Sequence, residues 1–169
     1  KSWIVSAKGI RDIDVIRTFV LQGTLNFTRY FFKIRQKRKF VIGKHHREIA
    51  AALDKVLCGE ITRLIINIAP RYGKTELAVK NFIAEGLAIN PKAKFIHLSY
   101  SDDLARDNSR GVQDIINEPE YRRIFPATIP TSTNTKKWYT TEGGGLYAVS
   151  SAGQVTGFGA GLVDEEEND

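Results

Sequence analysis

A glycine followed by a lysine and a hydroxyl residue, Gly73-Lys74-Thr75, carries the plainest chemistry in this chain. A residue without Cβ lets the main chain come close to a bound group. The ammonium beside it can neutralise the β- and γ-phosphates of a nucleotide, and the threonine hydroxyl can take a place on Mg²⁺. The flanks support that use. Leu64-Ile65-Ile66-Asn67-Ile68 is a β-branched apolar run, Ala69-Pro70-Arg71-Tyr72 leads into the glycine, and an amphipathic pattern follows Thr75. Strand, loop, helix is the order a phosphate-binding loop needs. The first N–H groups of the helix have no partner in the chain, and the helix dipole adds partial positive charge there. The match to G-x-x-x-x-G-K-[ST] is incomplete, because its first glycine falls on Ile68 and Ala69-Pro70 makes the entry stiff. The alternative is an ordinary strand–helix turn bearing a surface lysine.

Hydrolysis needs acids as well: one carboxylate in the Mg²⁺ shell and another to orient or deprotonate the attacking water. Leu162-Val163-Asp164-Glu165 has the expected form, with Asp164 for the metal and Glu165 for the water. Two apolar residues are short for a strand, which typically has about five. Residues 164–169 therefore also read as a solvated acidic tail, or as the sequel to a metal acid in residues absent between Gly161 and Leu162. His45-His46 is the other cluster of potential ligands. Adjacent histidines are expected to point apart on a helix, which argues against zinc. Their helix leads directly into the strand before the loop, so His46 is assigned to the adenine side of a nucleotide.

The elements that would position these residues follow from periodicity. Residues 9–22 read as a helix stopped by Gly23, and Phe27 to Arg38 as a second segment that interleaves aromatics with basic side chains. Those aromatics are expected to pack on the core and the cations to be solvated, with a nucleic-acid face as the other reading. Residues 45–58 form an amphipathic helix ended by Gly59. The strand is 63–68, the loop 69–74, and the next helix runs from Thr75 to about Asn90 before Pro91. A β-like run, Lys94 to Tyr100, precedes a helix opened by Ser101-Asp102-Asp103 and stopped before Pro119. Tyr121 to Pro130 is a short helical piece and a turn. Trp138 to Thr141 and Leu146 to Ser150 read as a hairpin around Gly143-Gly144-Gly145. The order β-α-β-α argues for a mainly parallel sheet flanked by helices.

The 169 residues suffice for one domain with a real core, and 42% hydrophobic against 26% charged residues reads as globular. No apolar run approaches the roughly 20 residues of a membrane span, and the first residues show no leader. Cys58 is the single cysteine and cannot form an internal disulfide, so a reducing compartment is expected. A net charge of +6 suits a polyanionic partner. The chain starts without Met and ends abruptly, and is expected to be part of a longer protein.

Several motifs in series give the chain a resemblance to a known family. Arg63 to Leu77 resembles the Pro-Arg-His-Gly-Lys-Ser type of Walker A loop found in the ATPase domain of the large terminase subunit of tailed bacteriophages. Ala69 stands where that family usually has Pro, Tyr72 where it has His, and Thr75 where it often has Ser. The likeness extends through Thr28 to Lys33, His45 to Ile49, Ser99 to Ala105, Pro119 to Arg122 with Ile124-Phe125-Pro126, and Thr156 to Gly161, so that it covers roughly residues 28–161. It implies a P-loop NTPase fold of the ASCE (RecA-like) kind, with an N-terminal helical extension over 1–43 and the ATPase core over 44–169, truncated after Walker B. It implies an enzyme that hydrolyses ATP with Mg²⁺ to drive double-stranded DNA through a portal into a procapsid. Ala69, Pro70, Arg71, Tyr72, Gly73, Lys74, Thr75 and His46 would bind the nucleotide. Thr75 and Asp164 would hold the metal, and Arg71, Lys74 and Glu165 would be catalytic, Arg71 sensing or stabilising the γ-phosphate or else bracing the loop through a carboxylate. The family's partners are double-stranded DNA, the portal protein, the small terminase subunit and further copies in a ring on the portal, all in the host cytoplasm with no membrane. A C-terminal RNase H-like nuclease domain belongs to such proteins and is not in these residues. The adenine-side motif often includes a Gln, and the nearest here, Gln36, lies in the basic segment. A helicase-like P-loop ATPase unrelated to packaging and a non-catalytic DNA- or portal-binding module are the rival readings.

Overall fold

The computed structural model describes residues 12–151. Helix α1 (Asp12–Val20) leads to α2 (Thr24–Gln36) and α3 (Lys44–Leu57). A stretch of extended chain then enters the Lys74-Thr75 helix start, which continues as a π-helical segment, Glu76–Asn81, and as α4 (Phe82–Ile89). Strand β1 (Lys94–Ser99), α5 (Asp102–Asn117), α6 (Pro119–Ile124) and the strands β2 (Lys137–Tyr139) and β3 (Gly145–Ser150) complete it.

Local chemistry explains most boundaries. Ser101 Oγ accepts from Leu104 N–H at 3.2 Å, and Asp102 and Asp103 sit in the first turn of α5, where the dipole favours acids. Pro119 cannot continue α5 and instead opens α6. Gly144 and Gly145 are required by close approach. A Cβ on the first would strike the Pro91 carbonyl oxygen, and one on the second the Trp138 carbonyl oxygen.

The core is built on aromatic rings. Phe27 and Phe31 of α2 are fully buried against Tyr121 and Phe125, with Phe31–Tyr121 centroids 5.3 Å apart. Ile83, Leu87, Val112, Ile115 and Trp138 close around them. The two buried polar tips in this cluster are satisfied: Tyr121 donates to Ala84 C=O at 2.8 Å and Trp138 Nε1 to Ser109 Oγ at 2.9 Å. Helices α1 and α2 thus share one core with the α4–β3 part of the described residues. Of the basic segment, Arg29 and Lys33 are solvated as expected, whereas Arg35 turns inward.

The sheet differs from expectation. Among the described residues its order is β1-β3-β2, with β1–β3 parallel (Ile96 opposite Tyr147) and β2–β3 antiparallel (Trp138 opposite Leu146). It is mixed rather than mainly parallel. Residues 63–68, expected as a strand, carry no ladder among the described residues. Their burial still alternates: Leu64 and Ile66 pack toward Ala50, Leu53 and Leu77, while Ile65 is 87% exposed. The apolar period of two was real. A strand also needs a neighbour to bond, and within residues 12–151 this segment has helices beside it instead.

Candidate functional site

The loop after residue 68 turns sharply. Pro70 fixes its own φ, and Arg71 then adopts φ 68, a left-handed conformation that costs a residue with a Cβ about 1–3 kcal/mol. Gly73 repeats the move at φ 74. Left-handed residues placed alternately in a turn swing successive N–H groups to one side, the arrangement that cups anions. The helix ladder begins with Leu77 N–H donating to Gly73 C=O at 3.0 Å. The N–H groups of Lys74, Thr75 and Glu76 precede it, as the free donors of a helix start.

His46 holds this loop from behind. It is 7% exposed, its Nδ1 accepts from Gly43 N–H at 2.9 Å, and its Nε2 lies 2.8 Å from Tyr72 O. An accepting Nδ1 requires the proton on Nε2, so Nε2–H donates to the Tyr72 carbonyl. Burial pushes its pKa below the ordinary value, partly offset by that bond, and the ring is neutral near pH 7. A Cβ on Gly73 would sit 2.9 Å from His46 Nε2 and 3.4 Å from Phe40 Cζ. The glycine is needed for this approach as well as for its φ. His46, expected on the adenine side, has both ring nitrogens bonded to main chain, to Gly43 and Tyr72, and braces the loop.

His45 departs from expectation. Instead of pointing away, its ring lies 3.9 Å from that of His46, with the two Nε2 atoms 3.2 Å apart. It folds back over Gly43, where any Cβ would meet His45 Cε1 at 2.6 Å. Glycine at the start of α3 makes room that the helical-wheel argument did not foresee.

A second brace reaches the loop from α2. Arg35 Nη1 bonds Glu76 Oε1 at 2.8 Å, and both side chains are largely buried. Asn81 Nδ2 donates to Glu76 O at 2.8 Å and to Glu76 Oε1 at 3.0 Å. The asparagine thus bonds a carbonyl five residues back, across the π-helical turn. From sequence alone Arg35 reads as one of the solvated cations. Its partner is distant in sequence and gave no local signal. The Gly43-x-x-His46 spacing, a helix cap answered by the third helical residue, could have been read.

In front of the loop lies a hollow of about 490 Å³, lined by Phe40, Ile42, Gly43, His45, Arg71 and Tyr72 among others. That volume is within the range of small-molecule sites. Arg71, Tyr72, Gly73 and His46 meet at it. Lys74 and Thr75 stand exposed at the helix start and do not line it, and Ala69 and Pro70 are exposed too. Asp164 and Glu165, and the glycine-dense 153–161, lie outside the described residues. A cup of N–H donors, a guanidinium, an ammonium and a hydroxyl around one turn can hold a phosphate chain, and the adjoining hollow can take the rest of a nucleotide.

The chain matches no family model, no curated protein and no solved structure in the comparisons made. No helix among the described residues is long and apolar enough to cross a membrane.

Proposed function

We propose that this chain is the ATPase region of a DNA-packaging motor of the terminase large-subunit kind, with a P-loop NTPase fold. The observation that carries the reading is the loop: two left-handed residues, Arg71 and Gly73, ahead of a helix that starts with Lys74-Thr75. Strain at Arg71 is retained for a use, and phosphate binding is the use this geometry suits. In this reading the N–H groups of Gly73, Lys74 and Thr75 hold the β- and γ-phosphates of ATP, and Lys74 neutralises their charge. Arg71 lies against the γ-phosphate, where its planar fork matches the oxygens. Mg²⁺, when bound, would offset phosphate charge; Thr75 and Asp164 are the residues assigned to hold it. Glu165 is assigned to orienting the water.

The reading further proposes double-stranded DNA, the portal protein, the small terminase subunit and neighbouring copies in a ring as partners, and the host cytoplasm as the place of work. The test is turnover of Mg²⁺·ATP by the chain and its Lys74→Ala variant. Lys74→Ala should lower turnover by roughly 100-fold or more with an unchanged circular dichroism melt. Normal turnover in Lys74→Ala would show that the site is misplaced. Stimulation by portal-bearing procapsids separates packaging from a helicase-like ATPase. ATP that produces no thermal shift at millimolar concentration would point instead to a binding module with a degenerate loop.

A further inference from the structure

The 33 residues from Val15 to Arg47 contain nine lysines and arginines and no aspartate or glutamate. Arg29, Lys33, Lys37, Arg38 and Lys39 are exposed, and none of them pairs with a carboxylate among the described residues. Part of this stripe is shaped. Arg29, Lys33 and Lys39 line a cleft of about 240 Å³ together with Phe19, Tyr30 and Phe40. Arg29 and Lys33 are one helical turn apart on a helix whose opposite face, Phe27 and Phe31, is locked in the core. Glu120, which accepts from the Tyr30 hydroxyl of the cleft at 2.6 Å, has its charge offset by Arg123, also at 2.6 Å.

We infer that the Arg29–Lys33–Lys39 cleft is a contact site for the phosphate backbone of duplex DNA. It rests on the packaging reading for the choice of duplex, and on the cleft itself for the choice of a nucleic acid. An anionic membrane fits less well, because the apolar side of α2 faces the core. Single strands are bound by stacking bases on free aromatic faces. Two of the three rings here are engaged: Tyr30 stands edge-on to Phe31 at 5.2 Å, and Phe40 edge-on to Phe32 at 5.2 Å and His46 at 4.9 Å. The cations form a line along α2 and past its end, which suits a regular row of phosphates read without regard to sequence.

The site also adjoins the phosphate loop. Lys39 and Phe40 line both this cleft and the hollow in front of Arg71 and Tyr72. DNA bound here would lie across one short segment from the nucleotide.

The test is fluorescence anisotropy of a short labelled duplex without nucleotide, over a series of salt concentrations. The triple variant Arg29→Ala/Lys33→Ala/Lys39→Ala should weaken binding by roughly tenfold or more and lower the salt slope by about 3. A control with the same loss of charge elsewhere, Lys55→Ala/Arg110→Ala/Arg122→Ala, should bind nearly as the parent chain does. Equal weakening in both would reduce the effect to net charge and overturn the site. Unchanged binding in the triple variant would do the same, as would phosphatidylserine vesicles or an acidic peptide held through these cations while duplex is not. Should the triple variant melt early, Lys33→Ala alone supplies the test, with a slope lower by about 1. Lys74→Ala is measured alongside. Full duplex affinity in that variant with normal ATP turnover would sink the nucleotide reading and leave this site standing.

Discussion

Gly73 meets two demands that no other residue meets together. Its φ of 74 is left-handed, and His46 Nε2 stands where a Cβ would need room, 2.9 Å away. Gly73→Ala should therefore lower stability by about 1–3 kcal/mol and also abolish nucleotide binding, since the ring must retreat from the loop it braces. Urea denaturation and ATP titration read the two effects, and an alanine variant that binds ATP normally would contradict them. His46 adds a dependence on acid. Its folded pKa lies below the ordinary 6.5. Above that value both folded and unfolded chains carry it neutral; as pH falls below it, the unfolded chain takes up a proton that the folded one resists. The contribution is thus complete above 6.5 and is lost on acidification. Protonating Nδ1 would also set an N–H against Gly43 N–H. ATP affinity should fall as pH drops below 6.5 and be flat from there to pH 8, by calorimetric titration at each pH. Affinity that rises on acidification would show that His46 does not act as this brace.

At the scale of elements, the helix after the loop is unusual in what it buries. Asn81 and Glu85 sit one turn apart where the π-helical segment meets α4 and are fully buried, as are Thr24 and Thr28 of α2. Burial pushes Glu85 up to about 8, and the Asp54 carboxylate adds to the rise. Between 4.5 and about 8 the unfolded chain has lost this proton while the folded chain keeps it. Stability should then fall with rising pH, by up to about 1.4 kcal/mol per pH unit. Glu85→Gln keeps the shape without the charge. It should melt higher than the parent at pH 8 and show a flatter profile from pH 5 to 8. A variant that melts lower at pH 8 would mean the ionised carboxylate is the stabilising form.

At the scale of the molecule, the helices were legible because their apolar periods are long and their ends are punctuated. Gly59 follows α3, Ser101 caps α5 and Pro119 ends it. The hairpin was legible from its three glycines. The sheet was less so. Leu64 to Ile68 alternates as a strand does, but alternation reports burial on one side and says nothing about which neighbour supplies the ladder. The loop could be read from Gly73-Lys74-Thr75, yet what holds it could not. Arg35 and Glu76 are 41 positions apart, His46 and Tyr72 are 26 apart, and such pairs leave no mark in a linear pattern. These long-range ties also join α2, α3 and the loop into one unit, with the cationic cleft and the hollow side by side across Lys39 and Phe40. The most direct measurement is a crystal structure of the chain with Mg²⁺ and a non-hydrolysable ATP analogue. The β- and γ-phosphates should lie within hydrogen-bonding distance of the Gly73, Lys74 and Thr75 N–H groups, with Lys74 Nζ on their oxygens. An analogue seated elsewhere, with the Arg71–Gly73 turn vacant at saturating concentration, would contradict the account.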